Sequence, residues 1–149
     1  MINRGNQSND NRADNLYREI FSRYHGLINE DEQSQLRRST VAIASVGGIG
    51  GLLAERLIRT GIGRLKISDP GNFQKRNFNR QYGTSMITLD HNKSETVSQQ
   101  LADINPTVQI VWDKPGISGE SSANVFIHDA DFMDYNILVG NIKNETTKK

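Results

Sequence analysis

The spacing of apolar side chains changes twice along the chain and predicts the order of its elements. Apolar residues recur every three to four positions between residues 15 and 24, which predicts a helix near the N-terminus. Asn29 is followed three positions later by Glu32, as in a capping box, and this predicts a second short helix. We expect that helix to end near residues 37–38, two arginines that suit the negative end of a helix dipole.

A different pattern begins at residues 41–44, a short continuous apolar run that is typical of a strand buried on both faces. Four glycines follow within residues 47–51, and the segment 52–60 then predicts a helix that Gly61 ends. Residues 65–67 predict the next strand, which completes a βαβ unit. We therefore predict the α/β class, a Rossmann-like, mostly parallel sheet flanked by helices, with an N-terminal helical segment.

The rest of the chain is expected to continue this alternation after a loop rich in Asn, Gly and Arg. The expected elements are a helix from a cap at Asp90 to about Ile104, a strand at 108–112, a short helix at 122–128 and a strand at 137–139.

Length and composition limit the domain organisation and the class of partner. The 149 residues leave room for one domain, which we expect over residues 14–140, between a disordered start at 1–13 and a polar tail at 141–149. A net charge of +1 gives no basic footprint for nucleic acid. The absence of cysteine excludes disulfides and any mechanism that carries its substrate as a thioester. No apolar segment is long enough to cross a bilayer, so we expect a cytoplasmic protein without nucleic-acid or membrane partners.

The glycine turn between the first strand and its helix resembles a dinucleotide-binding fingerprint. Gly47 and Gly50 occupy the second and third glycine positions, and Ser45 replaces the first. Gly47 lets backbone amides approach a phosphate, and the start of the helix favours an anion. Asp69 stands where an acidic residue binds ribose hydroxyls, although it also suits the cap of a loop. The pattern favours nucleotide binding over a purely structural turn, without choosing between NAD and ATP.

Two cations after the second strand bear on that choice. Arg80 lies between the amides Asn79 and Gln81, and Lys93 falls in the first turn of the next predicted helix. A cation in a first turn opposes the helix dipole, so it calls for an anion nearby. A guanidinium fork and an ammonium together suit a triphosphate, whereas a dinucleotide needs no such pair. The alternative is that both are ordinary exposed charges.

These motifs together resemble the ThiF/MoeB/HesA adenylyltransferases, which share their fold with the adenylation domains of ubiquitin-activating enzymes. The resemblance covers residues 33–110. It rests on the glycine turn, GIG at 61–63, Asp69, NFNRQ at 77–81, Lys93 and INP at 104–106, each at the spacing of the family.

The resemblance implies a set of site residues, a reaction and partners. Gly47, Gly48 and Gly50 are expected to lie under ATP, with Asp69 on its ribose, Asn77 and Gln81 around its phosphates, and Arg80 and Lys93 as the catalytic cations. The C-terminal carboxylate of a ubiquitin-like or sulfur-carrier protein, or of a peptide, is expected to attack the α-phosphate with Mg²⁺ assisting, which yields an acyl-adenylate and pyrophosphate. The resemblance also implies a homodimer in which an N-terminal arginine, Arg18 or Arg23, reaches the site of the partner.

The chain departs from the family pattern at several positions. Ser45 replaces a glycine, and Gly71 stands where a second acidic residue is frequent. The last Asp of an Asp-x-x-Asp pair that holds magnesium is missing; Asp131 and Asp134 are the nearby carboxylates, and both also suit an exposed loop, so the metal ligands stay unassigned. The later strands of the family are missing as well, and we expect an incomplete domain. These departures leave a catalytically inactive nucleotide-binding or dimerisation module as the alternative function. A dinucleotide oxidoreductase and a structural protein that binds no nucleotide are further alternatives.

Overall fold

A computed structural model describes residues 5–114 and 125–128 of the chain. Its helices are α1 (Gly5–Ile20), α2 (Glu30–Arg38), α3 (Gly50–Thr60) and α4 (Lys93–Ile104), and short 3-10 turns lie at Ser22–Tyr24 and Lys75–Asn77. Its strands are β1 (Thr40–Ala44), β2 (Arg64–Ser68), β3 (Gln109–Asp113) and β4 (Val125–His128). None of the described helices has the length and hydrophobicity needed to cross a lipid bilayer.

The four strands form one parallel sheet in the order β3-β2-β1-β4. The sequence prediction of a Rossmann-like α/β fold is therefore confirmed. Val41 on β1 lies opposite Leu65 on one side and Val125 on the other, so β1 is an inner strand. Because the chain leaves β1 towards β2 while β4 pairs on the opposite side, the glycine turn lies at a switch point of the sheet, where α/β proteins bind ligands.

The core lies around β1 and β2 and under α3 and α4. Residues 41–44 are all buried, as expected of a strand covered on both faces. The largest buried apolar side chains from the two strands and two helices are Ile43, Leu65, Ile67, Ile58, Val97 and Leu101. This packing holds the carboxyl ends of β1 and β2 rigidly beside each other, which is where the candidate site residues follow.

Two local predictions at helix ends are confirmed. At α2, Asn29 Oδ1 accepts from the Glu32 amide at 2.9 Å and Glu32 Oε2 accepts from the Asn29 amide at 2.7 Å, which completes the capping box. Gly61 ends α3 with φ of 99°, the left-handed conformation that favours glycine. The Tyr17 hydroxyl donates to the Gly61 carbonyl at 2.7 Å and so attaches α1 to the end of α3.

The N-terminal helix differs from its prediction at both ends. It begins at Gly5 and ends at Ile20, whereas the sequence placed it over residues 15–24 and assigned 1–13 to a disordered segment. The correction applies to residues 5–13, which are helical. Apolar periodicity cannot detect a polar extension, and adding residues to a helix already held by Tyr17 and Phe21 avoids the cost of nucleation.

Two further predictions need correction. Helix α4 is capped by Asn92, whose Oδ1 accepts from the Glu95 amide at 3.1 Å, so Asp90 precedes the cap. Residues 125–128 form strand β4, although the sequence predicted a short helix at 122–128. The Val-Phe-Ile run has high strand propensity, and pairing with β1 decides its conformation. Several predictions lie outside the described residues. These are the strand at 137–139, the carboxylates Asp131 and Asp134, and the tail.

Candidate functional site

A buried carboxylate connects the turn after β1 to the loop after β2. Asp69, which is 4% exposed, accepts from the Val46 amide at 3.0 Å and the Ser45 hydroxyl at 3.3 Å on one oxygen, and from the Gly71 amide at 2.8 Å on the other. An ionised carboxylate has about four acceptor positions. Three are used within the chain, so Asp69 first serves to position the turn and keeps about one acceptor position unused.

The backbone is strained at the first position of the glycine turn. Ser45 has φ of 71°, in the left-handed region where glycine is normally found. Gly50 is the first residue of α3, so the amino end of that helix lies at the turn. The positive end of the α3 dipole therefore faces the space above the turn and favours an anion there.

The loop that carries the NFNRQ motif packs against this turn. A Cβ added to Gly47 would lie 3.3 Å from Gln81 Nε2, and one added to Gly51 would lie 3.0 Å from Tyr82 Cβ. The buried Oε1 of Gln81 has no hydrogen-bond partner within the described structure, so a donor from a ligand or water would satisfy it. Burial, together with nearby Glu55, raises the pKa of the Tyr82 hydroxyl above its ordinary value.

Four of the predicted residues meet in one cleft of about 470 Å³ after β2. Its lining residues are Gly71, Asn72, Gln74, Arg76, Asn77, Arg80, Gln81 and Lys93. Gly47, Gly48 and Gly50 are not part of this lining. The cleft adjoins the turn at two places, where Gln81 approaches Gly47 and where Asp69 connects to the Gly71 amide.

The cations of the cleft form no ion pair with an acidic side chain in the parts of the chain that the structure describes. Arg80 donates to the Arg76 carbonyl and to Asn79 Oδ1, both at 3.0 Å. The Lys93 ammonium lies 3.4 Å from the position of a Cβ on Gly71, so an acidic residue there would meet it directly. The acidic residues that form ion pairs with arginines among the described side chains are Asp14 and Glu55, and neither lines the cleft. The cleft is therefore suited to a polyanion.

The structure adds one residue that the sequence reading missed and clarifies another. Arg76 also lines the cleft; a third cation only four positions before Arg80 was the available signal. Asn77 is 5% exposed and its Oδ1 accepts from the Gln74 amide at 2.8 Å, so it stabilises the loop that carries Arg80. The predicted position of Lys93 is correct, since it is the first residue of α4 and its amide donates to the Gly71 carbonyl at 2.9 Å.

The two N-terminal arginines lie away from this cleft. Arg23 borders a separate cavity of about 290 Å³ with Ile58 and Ile104, which stand near the C-terminal ends of α3 and α4. Those helix ends lead into β2 and β3, so the cavity lies at the amino ends of the strands, opposite to the carboxyl ends where the cleft lies. Arg18 lines a depression formed with α2, which leads into β1 at that same end of the sheet. Neither arginine reaches the cleft of its own chain.

The sequence matches one protein family and is similar to several known proteins. The sequence model of the ThiF family matches residues 21–136. The chain is 32% identical over 113 residues to the tRNA threonylcarbamoyladenosine dehydratase of Bacillus subtilis, covering 76% of this chain and 44% of that protein. It is 35% identical over 104 residues to ubiquitin-like modifier-activating enzyme 5 of Caenorhabditis elegans, covering 69% of this chain and 24% of that protein.

A solved structure shows the same fold. The tRNA N6-threonylcarbamoyladenosine dehydratase of E. coli, in a complex with ATP, superposes with a TM-score of 0.72 at 22% identity, over 78% of this chain and 51% of that protein. The chain thus spans about half of that protein and less than half of the two relatives.

Proposed function

The chain belongs to the ThiF family, and we propose that it binds ATP and transfers AMP to a carboxylate. The acceptor in this proposal is the C-terminal carboxylate of a ubiquitin-like or sulfur-carrier protein or of a peptide. The observation that carries the proposal is that Arg80 and Lys93 line one cleft beside the glycine turn, and neither has an acidic partner among the described residues.

The geometry supports one orientation of the nucleotide. ATP lies across Gly47, Gly48 and Gly50, with its α-phosphate near the start of α3 and a ribose hydroxyl donating to the remaining acceptor position of Asp69. The phosphates then extend past Gln81 into the cleft. The unsatisfied oxygen of Gln81 accepts from a donor on the ligand or on a water bound to it.

The reaction requires no nucleophile from the chain. A carboxylate oxygen of the acceptor forms a bond to the α-phosphorus, and the bond from that phosphorus to the bridging oxygen of the β-phosphate breaks. The electron pair leaves with pyrophosphate, and no proton has to move because the acceptor is already ionised. Arg80 and Lys93 stabilise the charge that develops on the phosphates. Alignment and charge stabilisation are sufficient, which agrees with the absence of cysteine.

Magnesium was expected with ATP, and the described residues do not form a protein site for it. No carboxylate of residues 5–114 or 125–128 lines the cleft, and Asp69 is buried and engaged with backbone amides. No group of three His, Asp or Glu side chains that would hold a metal occurs in the described parts of the chain. We therefore assign Mg²⁺ to ATP itself as its counterion.

Pyrophosphate exchange is the test of this function. Labelled pyrophosphate is incorporated into ATP only when an acceptor carboxylate is adenylated reversibly. We expect exchange with a ubiquitin-like carrier protein, and a loss of about a hundredfold in Arg80→Ala and in Lys93→Ala. Arg56→Ala is the matched control, because Arg56 is an exposed arginine on α3 outside the cleft. If exchange depends on tRNA instead, the acceptor is tRNA, the molecule in the name of the Bacillus subtilis relative. The proposal of a carrier-protein acceptor is then rejected.

The alternative is a nucleotide-binding or dimerisation module without catalytic activity, which is favoured by the lack of a carboxylate in the cleft. ATP binding in calorimetry without exchange for any acceptor would select it. An oxidoreductase predicts that NADH raises the melting temperature, and a purely structural protein predicts that neither ligand does. We expect ATP alone to raise it.

We further propose a cytoplasmic homodimer, with residues 14–140 as its domain. Arg18 and Arg23 lie at the opposite edge of the sheet from the cleft of their own chain, so only a second copy could bring either one to a site. Sedimentation of the full chain tests this, and a monomer at all concentrations with full ATP binding contradicts it.

A further inference from the structure

Arg76 is a third cation in the cleft. It belongs to the 3-10 turn Lys75–Asn77, its side chain is exposed, and its carbonyl accepts from Arg80 Nη1 at 3.0 Å. This hydrogen bond fixes the Arg80 side chain against the backbone of Arg76. The two arginines therefore belong to the same wall of the cleft.

Arg76, Arg80 and Lys93 repel one another, although Asp69 Oδ1 lies close to Lys93: a Cβ on Gly71 would be 3.1 Å from that oxygen and 3.4 Å from Lys93 Nζ. Arg76, Arg80 and Lys93 form no ion pair with an acidic side chain of the described structure. A bound polyanion would remove this repulsion, and a guanidinium binds phosphate oxygens in a bidentate manner. One phosphate group is too small to use three separate cations fully, so the arrangement favours a chain of phosphates.

The position of Arg76 along the cleft distinguishes it from the other cations. Gln81 approaches Gly47, and Gly71, next to Lys93, is hydrogen bonded through Asp69 to the turn. No described contact connects the side chain of Arg76 or of Arg80 to the turn, but Arg80 directly precedes Gln81 in the chain. The order of contacts therefore puts Arg76 at the part of the cleft that is farther from the nucleoside.

We propose that Arg76 binds the terminal phosphates of ATP, and the pyrophosphate that they become after transfer. This inference rests on the proposed function, because it takes the phosphates of ATP to extend from the glycine turn into the cleft. It adds a specificity: the cleft distinguishes ligands with two or more consecutive phosphates from AMP.

Equilibrium binding of inorganic pyrophosphate, ATP and AMP to the full chain tests the proposal. In Arg76→Ser we expect the affinities for pyrophosphate and ATP to fall by about tenfold or more, because a charge-assisted hydrogen bond is lost. AMP affinity is expected to stay within about twofold, since AMP lacks the terminal phosphates. Lys75→Ser is the matched control, because Lys75 is an exposed cation in the same turn that does not line the cleft.

The outcomes separate this inference from the proposed function. Unchanged affinity for pyrophosphate in Arg76→Ser, together with weaker ATP binding in Arg80→Ala, overturns the role of Arg76 and leaves ATP binding intact. An equal loss in Lys75→Ser, or an equal loss for AMP, also overturns it, because the effect would then be general electrostatics or contact with the α-phosphate. If none of Arg76→Ser, Arg80→Ala and Lys93→Ala weakens ATP binding, the proposed function itself fails. Melting temperatures equal to that of the parent chain verify folding, and Arg76→Lys is expected to retain part of the affinity.

Discussion

The backbone amide of Val46, in the turn after β1, donates a hydrogen bond of 3.0 Å to the carboxylate of Asp69, which follows β2. The same carboxylate accepts from the Gly71 amide at 2.8 Å. One buried side chain therefore determines how the glycine turn lies relative to the loop that leads into the cleft. A nucleotide bound across both would depend on this connection.

The first prediction concerns Asp69→Asn, which keeps the shape of the side chain but has one acceptor oxygen instead of two. The Val46 or Gly71 amide then loses its partner, so we expect the free energy of unfolding to fall by about 1–3 kcal/mol. Urea denaturation measures this. Asp103→Asn, at an exposed position on α4, is the control and should change stability by less than about 0.5 kcal/mol. Equal stability of the two variants would contradict a positioning role for Asp69.

The second prediction concerns the backbone of Ser45, whose φ is 71°. Ser45→Gly and Ser45→Ala both remove the hydroxyl, but only glycine adopts a left-handed conformation without steric cost. We therefore expect Ser45→Gly to be more stable than Ser45→Ala by about 1 kcal/mol. Thermal unfolding of the two variants measures the difference. A more stable alanine variant would show that the turn does not hold this conformation in solution.

The third prediction separates two glycines by what surrounds them. A Cβ on Gly63 would overlap the carbonyl oxygen of Arg37, which is backbone and cannot move aside, so Gly63→Ala should cost about 3 kcal/mol or more. A Cβ on Gly47 would instead meet the side-chain amide of Gln81 at 3.3 Å, and this side chain has rotatable bonds through which it can shift. Gly47→Ala should therefore cost about 1 kcal/mol or less and act mainly by weakening ATP binding.

Denaturation and ATP titration of both glycine variants check this contrast. Full ATP affinity in Gly47→Ala would argue against a phosphate close to the turn. A stable Gly63→Ala variant would contradict the close approach of β2 to the end of α2.

The fourth prediction is a pH dependence. Burial raises the pKa of Tyr82 and of Tyr17 above 10.0 in the folded chain. The unfolded chain therefore releases these protons first, so stability is complete below pH 10 and falls as pH rises through the folded pKa values. Urea denaturation between pH 9 and 11 should show this fall, and it should be smaller in Tyr82→Phe and smaller still when Tyr17→Phe is added. An unchanged slope in the double variant rejects both groups as its source.

The elements that the sequence predicted well depend on interactions within a few residues. Two examples are the capping box of Asn29 and Glu32 and the left-handed Gly61 at the end of α3. Both depend only on residues that are close together in the sequence. The buried strand at residues 41–44 was readable because four apolar residues in a row suit an inner parallel strand. The strand–turn–helix order then led directly to the Rossmann-like fold.

Other features depend on neighbours far away along the chain. The motif GIG matched a family pattern, but only the packing against Arg37 explains why Gly63 has no side chain. Residues 125–128 form a strand because β1 offers them a partner, which no local pattern shows. The polar half of α1 has no apolar periodicity, so no sequence pattern predicts that it is helical. It continues a helix that the Tyr17 hydrogen bond attaches to the end of α3.

The sequence by itself determined the type of chemistry in the candidate site, because Arg, Lys and Gly carry their charge or conformational freedom in any fold. The tertiary structure decided which of them meet. It brought Arg80 and Lys93 together with Arg76 in one cleft, and it showed that Asp69 is largely occupied by its own chain. The physical reason is that the cleft and the hydrogen bonds of Asp69 are each formed by residues from two loops. The packing of β1 and β2 determines how closely those two loops approach each other.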